Sequence, residues 1–193
     1  MTQASGSVVA GAVEIVGREV LSVLNKIELH IYTCNNRDFT EHLISNLERY
    51  QVPDCILQII PKNFVVSIKH IKLAAYLAFK AFDKKRNISK KKHIELLLYL
   101  LGERQINKVI EKLRTLGRLP YLVVLACMGD GAEEIVSEVN LQEHCSKLKQ
   151  TNDIDTIEAS ADIDTLKILF NLREGDEPIK SVLCKISSLI LQA

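Results

Sequence analysis

The chain lacks the signals that identify most membrane and secreted proteins. No apolar run approaches the roughly 20 residues that a membrane-spanning helix needs. The N-terminal region has no basic leader, and its apolar stretch from Val8 to Val16 is interrupted by Glu14, so we expect it not to act as a secretory signal. We therefore expect a soluble protein without a membrane partner, and we predict a cytoplasmic location.

Cysteine is sparse and widely spaced. The chain has an odd number of cysteines and no CxxC pair; the five are Cys34, Cys55, Cys127, Cys145 and Cys184. This pattern fits a reducing compartment better than a disulfide framework. We expect most of them to be small side chains of the core.

The motifs of common catalytic sites are also missing. Gly6, Gly11 and Gly17 have the wrong spacing for a nucleotide loop, and no Gly-Lys-Ser/Thr occurs. The five histidines share no HxxxH or HExxH spacing, which argues against a metal site. The tetrapeptide DIDT at 153–156 and 162–165 lacks the features of a calcium loop and is better explained by helix caps and turns. We predict a protein that is not an enzyme, with no catalytic residue, cofactor or metal, although a Cys-His pair assembled from distant residues stays open.

The charge of the chain is divided unevenly. The net charge is only +1. Residues 62–114 nevertheless hold 14 Lys or Arg against 4 Asp or Glu, and residues 129–177 hold 13 acids against 4 bases. A basic segment inside a nearly neutral protein indicates a local site for a polyanion.

Periodicity predicts strands interspersed with helices. Strands are expected at 27–33, 55–60 and 121–127, the last of them central. Helices are expected after the Asp38 and Glu41 capping pair, after Ser67 as N-cap, on both sides of Gly102, and from Pro178 onward. The run DKKRNISKKK between two of these helices should be an exposed loop. The chain thus reads as an α/β (α+β) protein, with a central mixed sheet, helices packed on it and an amphipathic C-terminal helix.

We predict one domain at 21–193, preceded by an N-terminal extension at 1–20. At 193 residues and 47% hydrophobic content, the chain is long enough for one full core.

The basic segment is the best candidate site from the residues themselves. Its cations flank three helices, and we expect them to converge on one surface if the helices pack together. Just past Gly102, the free backbone N–H groups of a helix N-terminus can help to hold a phosphate.

Several stretches carry a resemblance to a known family. The run KHIELLLYLLGERQINKVIEKL, followed by a helix end and the strand YLVVLAC, resembles the kinase-binding subunit family of the KEOPS complex. The resemblance covers roughly residues 20 to 192. Archaeal members typically show Ser-Gly-x-Arg-Gln-Ile at the helix break, where this chain has Leu101, Gly102, Glu103, Arg104, Gln105 and Ile106. The change to Leu101 removes any contact that the usual serine hydroxyl makes.

The resemblance implies a non-catalytic subunit of the machinery that makes threonylcarbamoyladenosine at position 37 of tRNAs that read ANN codons. It implies binding to the atypical kinase/ATPase subunit and, as in archaeal members, to the single-stranded 3′ CCA end of tRNA. The tRNA-binding residues that we predict are Lys69, His70, Lys72, Lys90, Lys91, Lys92, Gly102, Glu103, Arg104, Gln105, Ile106 and Lys108. The kinase-binding residues that we predict form one stripe of the C-terminal helix: Ile179, Val182, Leu183, Ile186, Leu189 and Ile190.

Other functions stay open at this point. The main alternative is a structural protein-interaction module that regulates a kinase without contacting RNA. An unrecognised enzyme ranks lower. A helix-turn-helix DNA reader is disfavoured, because the apolar positions after Gly102 match a core face.

Overall fold

The computed structural model describes residues 26–148 and 162–189. Four strands are present in this part of the chain: β1 (Glu28–Cys34), β2 (Cys55–Pro61), β3 (Tyr121–Cys127) and β4 (Ser146–Lys147). The helices in the same ranges are α1 (Arg37–Asn46), α2 (Ile68–Asp83), α3 (Lys92–Leu100), α4 (Ile106–Leu116), α5 (Ala132–Glu138), α6 (Leu141–His144), α7 (Ile163–Phe170) and α8 (Pro178–Ser188). Two 3-10 turns, Leu47–Tyr50 and Lys62–Phe64, follow α1 and β2.

The strands form one sheet with the order β2-β3-β1-β4. Every described pairing is antiparallel, with Glu28 opposite Cys127 and Cys55 also opposite Cys127 on the other side of β3. The predicted α+β domain with helices packed on a sheet is confirmed, and the sheet is antiparallel where a mixed one was expected. The N-terminal boundary at residue 20 lies outside the described residues.

The sheet separates two hydrophobic cores because alternate side chains of each strand point to opposite faces. On one face, residues such as Ile31 and Val124 pack with α2, α3, α4, α7 and α8. On the other face, residues such as Tyr32 and Val123 pack with α1, α5 and α6. The strand β2 is buried along its whole length, as its apolar sequence predicts.

Helix caps agree with the sequence in two of three cases. The Ser67 hydroxyl accepts from the His70 N–H at 3.2 Å, and Asp162 accepts from the Thr165 N–H at 3.1 Å, so the second DIDT is a helix cap. The first DIDT lies outside the described residues. The expected cap at Asp38 is wrong, because Asn36 supplies the capping oxygen to the Phe39 N–H and the helix begins at Arg37, two residues earlier than a cap at Asp38 would place it.

The helices α2 and α3 pack side by side in opposite directions. At one end, the His70 ring near the start of α2 contacts the carbonyl of Leu100, the last residue of α3. At the other end, the Lys92 ammonium at the start of α3 lies 5.6 Å from the centre of the Phe79 ring in α2. The two ends of this pair carry the two halves of the basic segment.

Four of the five cysteines are paired, which corrects the expectation of free thiols. Cys34 is bonded to Cys145, and Cys55 is bonded to Cys127 across the β2–β3 ladder. Cys184 on α8 is free and exposed. The sequence alone gave no sign of this pairing, because the partners are 111 and 72 residues apart.

Candidate functional site

The turn between α3 and α4, residues 101–105, is closed around Gly102 and is named here the Gly102 turn. Gly102 has φ of +62°, a left-handed conformation that glycine adopts freely and L-residues adopt at a cost in energy. Its N–H donates to the Tyr99 carbonyl at 3.1 Å, and the Glu103 N–H donates to the Leu98 carbonyl at 2.9 Å. These two bonds are the pair that ends a helix in a Schellman motif, so the predicted helix break is confirmed.

Glu103 is tied back into the domain by a lysine from α4. The Lys112 ammonium lies 2.6 Å from the Glu103 carboxylate and also donates to the Leu169 carbonyl at 2.9 Å. Both side chains of the ion pair are only about one-fifth exposed (20% each). Glu103 was predicted to contact RNA. In the structure, its negative charge is already compensated by Lys112.

A second lysine packs on the glycine itself. A methyl group placed on Gly102 would lie 3.5 Å from the Lys185 methylenes, and the Lys185 ammonium donates to the Phe170 carbonyl at 3.0 Å. Burial lowers the pKa of Lys185, and the neighbouring Lys112 charge adds to this effect. Lys112 and Lys185 thus place two cations at the C-terminal end of α7, where carbonyl groups attract positive charge.

Arg104 faces solvent beside this fixed frame. It is exposed, and its guanidinium makes no hydrogen bond or ion pair with any residue in the described ranges. Gln105 is the N-cap of α4, and no side chain caps that helix end. The first N–H groups of α4 therefore stay available close to Arg104, with exposed Lys108 one turn further along.

The first group of predicted cations lies at this same end of the helix pair. Its two lysines reach solvent, and its histidine does not. Lys69 is exposed and Lys72 is half-buried at the start of α2. His70 is fully buried, accepts from the Val66 N–H at its Nδ1, and has its pKa lowered by burial to about 4. The prediction that His70 contributes a cation to an RNA surface is wrong, because its ring is neutral and inside the core.

The second group of predicted cations lies at the opposite end of α3. Lys90 is exposed, Lys91 contacts Glu48, and Lys92 contacts the Pro53 carbonyl. Helix α3 has nine residues, so these lysines are separated from Gly102 by about 13 Å along its axis. The basic segment is therefore divided between two surfaces, where the sequence predicted one.

Burial divides the predicted kinase-binding stripe of α8. Val182, Ile186 and Leu189 are buried in the domain, and Val182 and Leu189 belong to the larger hydrophobic core. Ile179 and Leu183 are half-buried and lie four residues apart, on the same side of the helix. Ile190 lies outside the described residues. Of the predicted stripe, the residues that stay partly exposed in the described part of α8 are Leu183 and Ile179, and Ile179 also packs against the larger hydrophobic core.

Residues 26–148 and 162–189 contain no group of three or more His, Cys, Asp or Glu arranged to hold a metal ion. Within those ranges, no helix combines the length and the apolar character needed to cross a bilayer.

Sequence reasoning missed Lys112 and Lys185, which hold the Gly102 turn. No local motif links them to it. They reach the turn from α4 and α8 only because the helices pack on one face of the sheet.

The match to a family model covers most of the chain. A model described as kinase binding protein CGI-121 matches residues 33–193. The chain belongs to the CGI-121 family. This match confirms the resemblance inferred from the helix break and the strand that follows. A search of curated proteins found no match. The description of the CGI-121 family supports an accessory role in kinase binding for its members.

Proposed function

We propose that this chain is a non-catalytic accessory subunit of a KEOPS complex, which binds the kinase/ATPase subunit and the 3′ CCA end of tRNA. In this role it supports threonylcarbamoyladenosine formation at tRNA position 37, in the cytoplasm. The observation that carries the proposal is the Gly102 turn, found at the position of the family-like motif within a chain that matches the CGI-121 family.

The geometry of the turn supports capture of a nucleic-acid end. The free N–H groups of α4 together with Arg104 offer donors to a phosphate. Arg104 can also stack on an unpaired base, which is a common mode of single-strand recognition. Because Lys112 and Lys185 hold the turn in place, the backbone N–H donors of α4 are arranged before the RNA arrives.

The C-terminal helix supports the kinase-binding half of the proposal. One edge of α8 anchors it in the core through Val182 and Ile186. The other edge carries Ile179 and Leu183, which are half-buried, and a partly exposed apolar edge on a helix is a common contact for a partner protein.

Two binding assays test the proposal. Labelled tRNA with and without its terminal CCA is titrated with the purified chain over a range of salt concentrations, and the kinase subunit is titrated separately. We expect salt-sensitive tRNA binding that falls when CCA is removed, and saturable kinase binding. Equal or absent binding of both tRNAs, with intact kinase binding, would replace the proposal by the interaction module without RNA.

A further inference from the structure

The loop between α2 and α3, residues 84–91, carries the densest positive charge in the described chain and is named here the α2–α3 loop. It holds five cations and no acid. All five are exposed: Lys84, Lys85, Arg86, Lys90 and Lys91. The loop lies at the end of α3 that points away from Gly102, so the proposed 3′-end site does not account for it.

Among the residues that the structure describes, two of these cations have partners and three have none. Lys84 lies 3.3 Å from the Asp83 carboxylate, and Lys91 contacts Glu48. The side chains of Lys85, Arg86 and Lys90 make no ion pair or hydrogen bond within the described ranges. Three positive charges are therefore left without a partner in residues 26–148 and 162–189 and can contact an external anion.

The backbone of the loop is held by a buried carboxylate. Glu95 is fully buried in α3, and its Oε2 accepts from the N–H groups of Ile88 at 3.0 Å and Ser89 at 2.7 Å. Ser89 is itself buried, and its hydroxyl accepts from the Lys91 N–H at 3.1 Å. The cations therefore project from a backbone that is already fixed. This lowers the entropic cost of ordering the loop when an anion binds.

We propose that the α2–α3 loop binds the phosphate backbone of an RNA, with Lys85, Arg86 and Lys90 as its contacts. Resting on the proposed function, this loop is a second contact for the same tRNA, about 13 Å along α3 from the Gly102 turn. Phosphates recur along an RNA strand, so one molecule can reach both ends of the helix pair. A membrane surface is disfavoured, because Ile88 is the single large apolar residue exposed in this loop.

The test uses a variant that neutralises the three open cations, Lys85→Gln, Arg86→Gln and Lys90→Gln. A matched control removes three exposed cations from the β1 side of the domain, Lys26→Gln, Arg37→Gln and Lys147→Gln. Binding of intact tRNA, tRNA lacking CCA, and polyglutamate is measured over a salt series. Thermal unfolding confirms that both variants fold.

We expect the loop variant to bind both tRNAs at least about tenfold more weakly, with the slope of log K against log salt reduced by about two to three. The control variant should bind like the original chain. CCA-dependent tRNA binding that is unchanged in the loop variant would overturn this inference and leave the proposed function standing. Loss of polyglutamate binding alone would also overturn it, in favour of an acidic protein partner. Loss of CCA-independent binding in the loop variant would support the inference even if the 3′-end role fails.

Discussion

The ring of His70 joins the start of α2 to the end of α3 through a 2.8 Å hydrogen bond to the Leu100 carbonyl. Because a carbonyl can only accept, His70 Nε2 carries the proton, and Nδ1 accepts from the Val66 N–H. The histidine is therefore neutral. It fixes the residue just before the Gly102 turn, so a side chain that sequence suggested for RNA contact supports the turn from inside.

The burial of His70 predicts a dependence of stability on pH, because burial lowers the pKa of its ring. The folded pKa of about 4 lies below the ordinary value of 6.5, so the unfolded chain binds the proton more readily. The contribution is fully present above pH 6.5 and is lost as the pH falls toward 4. We expect His70 to lower the free energy of unfolding by about 2 kcal/mol between pH 7 and pH 5.

Urea unfolding of the original chain and of His70→Gln at both pH values checks this prediction. The comparison isolates His70 from His93, whose pKa burial also lowers. The same loss between pH 7 and pH 5 in both proteins would show that His70 is not the group responsible.

Replacement of Gly102 should cost stability through its backbone conformation. The space at Gly102 accepts a methyl group, since the nearest atoms lie at 3.5 Å in the flexible Lys185 side chain. The φ of +62° remains, so Gly102→Ala should lower the free energy of unfolding by about 1–2 kcal/mol. Gly102→Asn should cost less, because asparagine tolerates this conformation. Equal costs for both variants in urea unfolding would contradict this explanation.

The two edges of α8 should respond differently to substitution. Leu183→Asp places a charge on the half-buried edge and should weaken kinase binding by about tenfold or more while the fold persists. Ile186→Ala opens a cavity at a fully buried position and should cost about 2–5 kcal/mol of unfolding free energy, with kinase affinity retained by the folded fraction.

Isothermal titration with the kinase subunit and thermal unfolding measure these two effects. Ile44→Asp is a matched control, since Ile44 is an exposed isoleucine of α1 on the other face of the sheet. Unchanged kinase affinity in Leu183→Asp would remove α8 from the interface.

The cysteine pairing predicts a single reactive thiol. Alkylation of the native protein without reductant should modify Cys184 alone, because the other four cysteines are bonded in pairs. Unfolding with reduction should expose all five. Peptide mass spectrometry separates the two results, and native alkylation of Cys34 or Cys145 would show that this pair is reduced in solution.

Local patterns predicted the elements better than they predicted the site. The apolar run at 121–127 and the cap at Ser67 determine structure over a few residues, and both were confirmed. Gly102 was also identified correctly, because a helix end needs a residue that tolerates positive φ.

The composition of the basic surface could not be predicted in the same way. Lys69 and Lys90 lie at opposite ends of α2, and the antiparallel packing of α3 against α2 brings the Gly102 turn to the Lys69 end and leaves Lys90 at the other. His70 lies between two lysines in the sequence, yet its ring points into the core. There its hydrogen bonds compensate the cost of burying a polar ring.

The most direct test of the account is to map where the tRNA end touches the protein. A tRNA that carries a photoreactive adenosine at its 3′ terminus is crosslinked to the full chain, alone and with the kinase subunit, and the modified peptide is sequenced. The account predicts label within residues 101–108, with loss of the label in Arg104→Glu and retention in Arg37→Glu. Label on another face of the domain, or equal labelling of Arg104→Glu, would contradict capture of the tRNA end by the Gly102 turn.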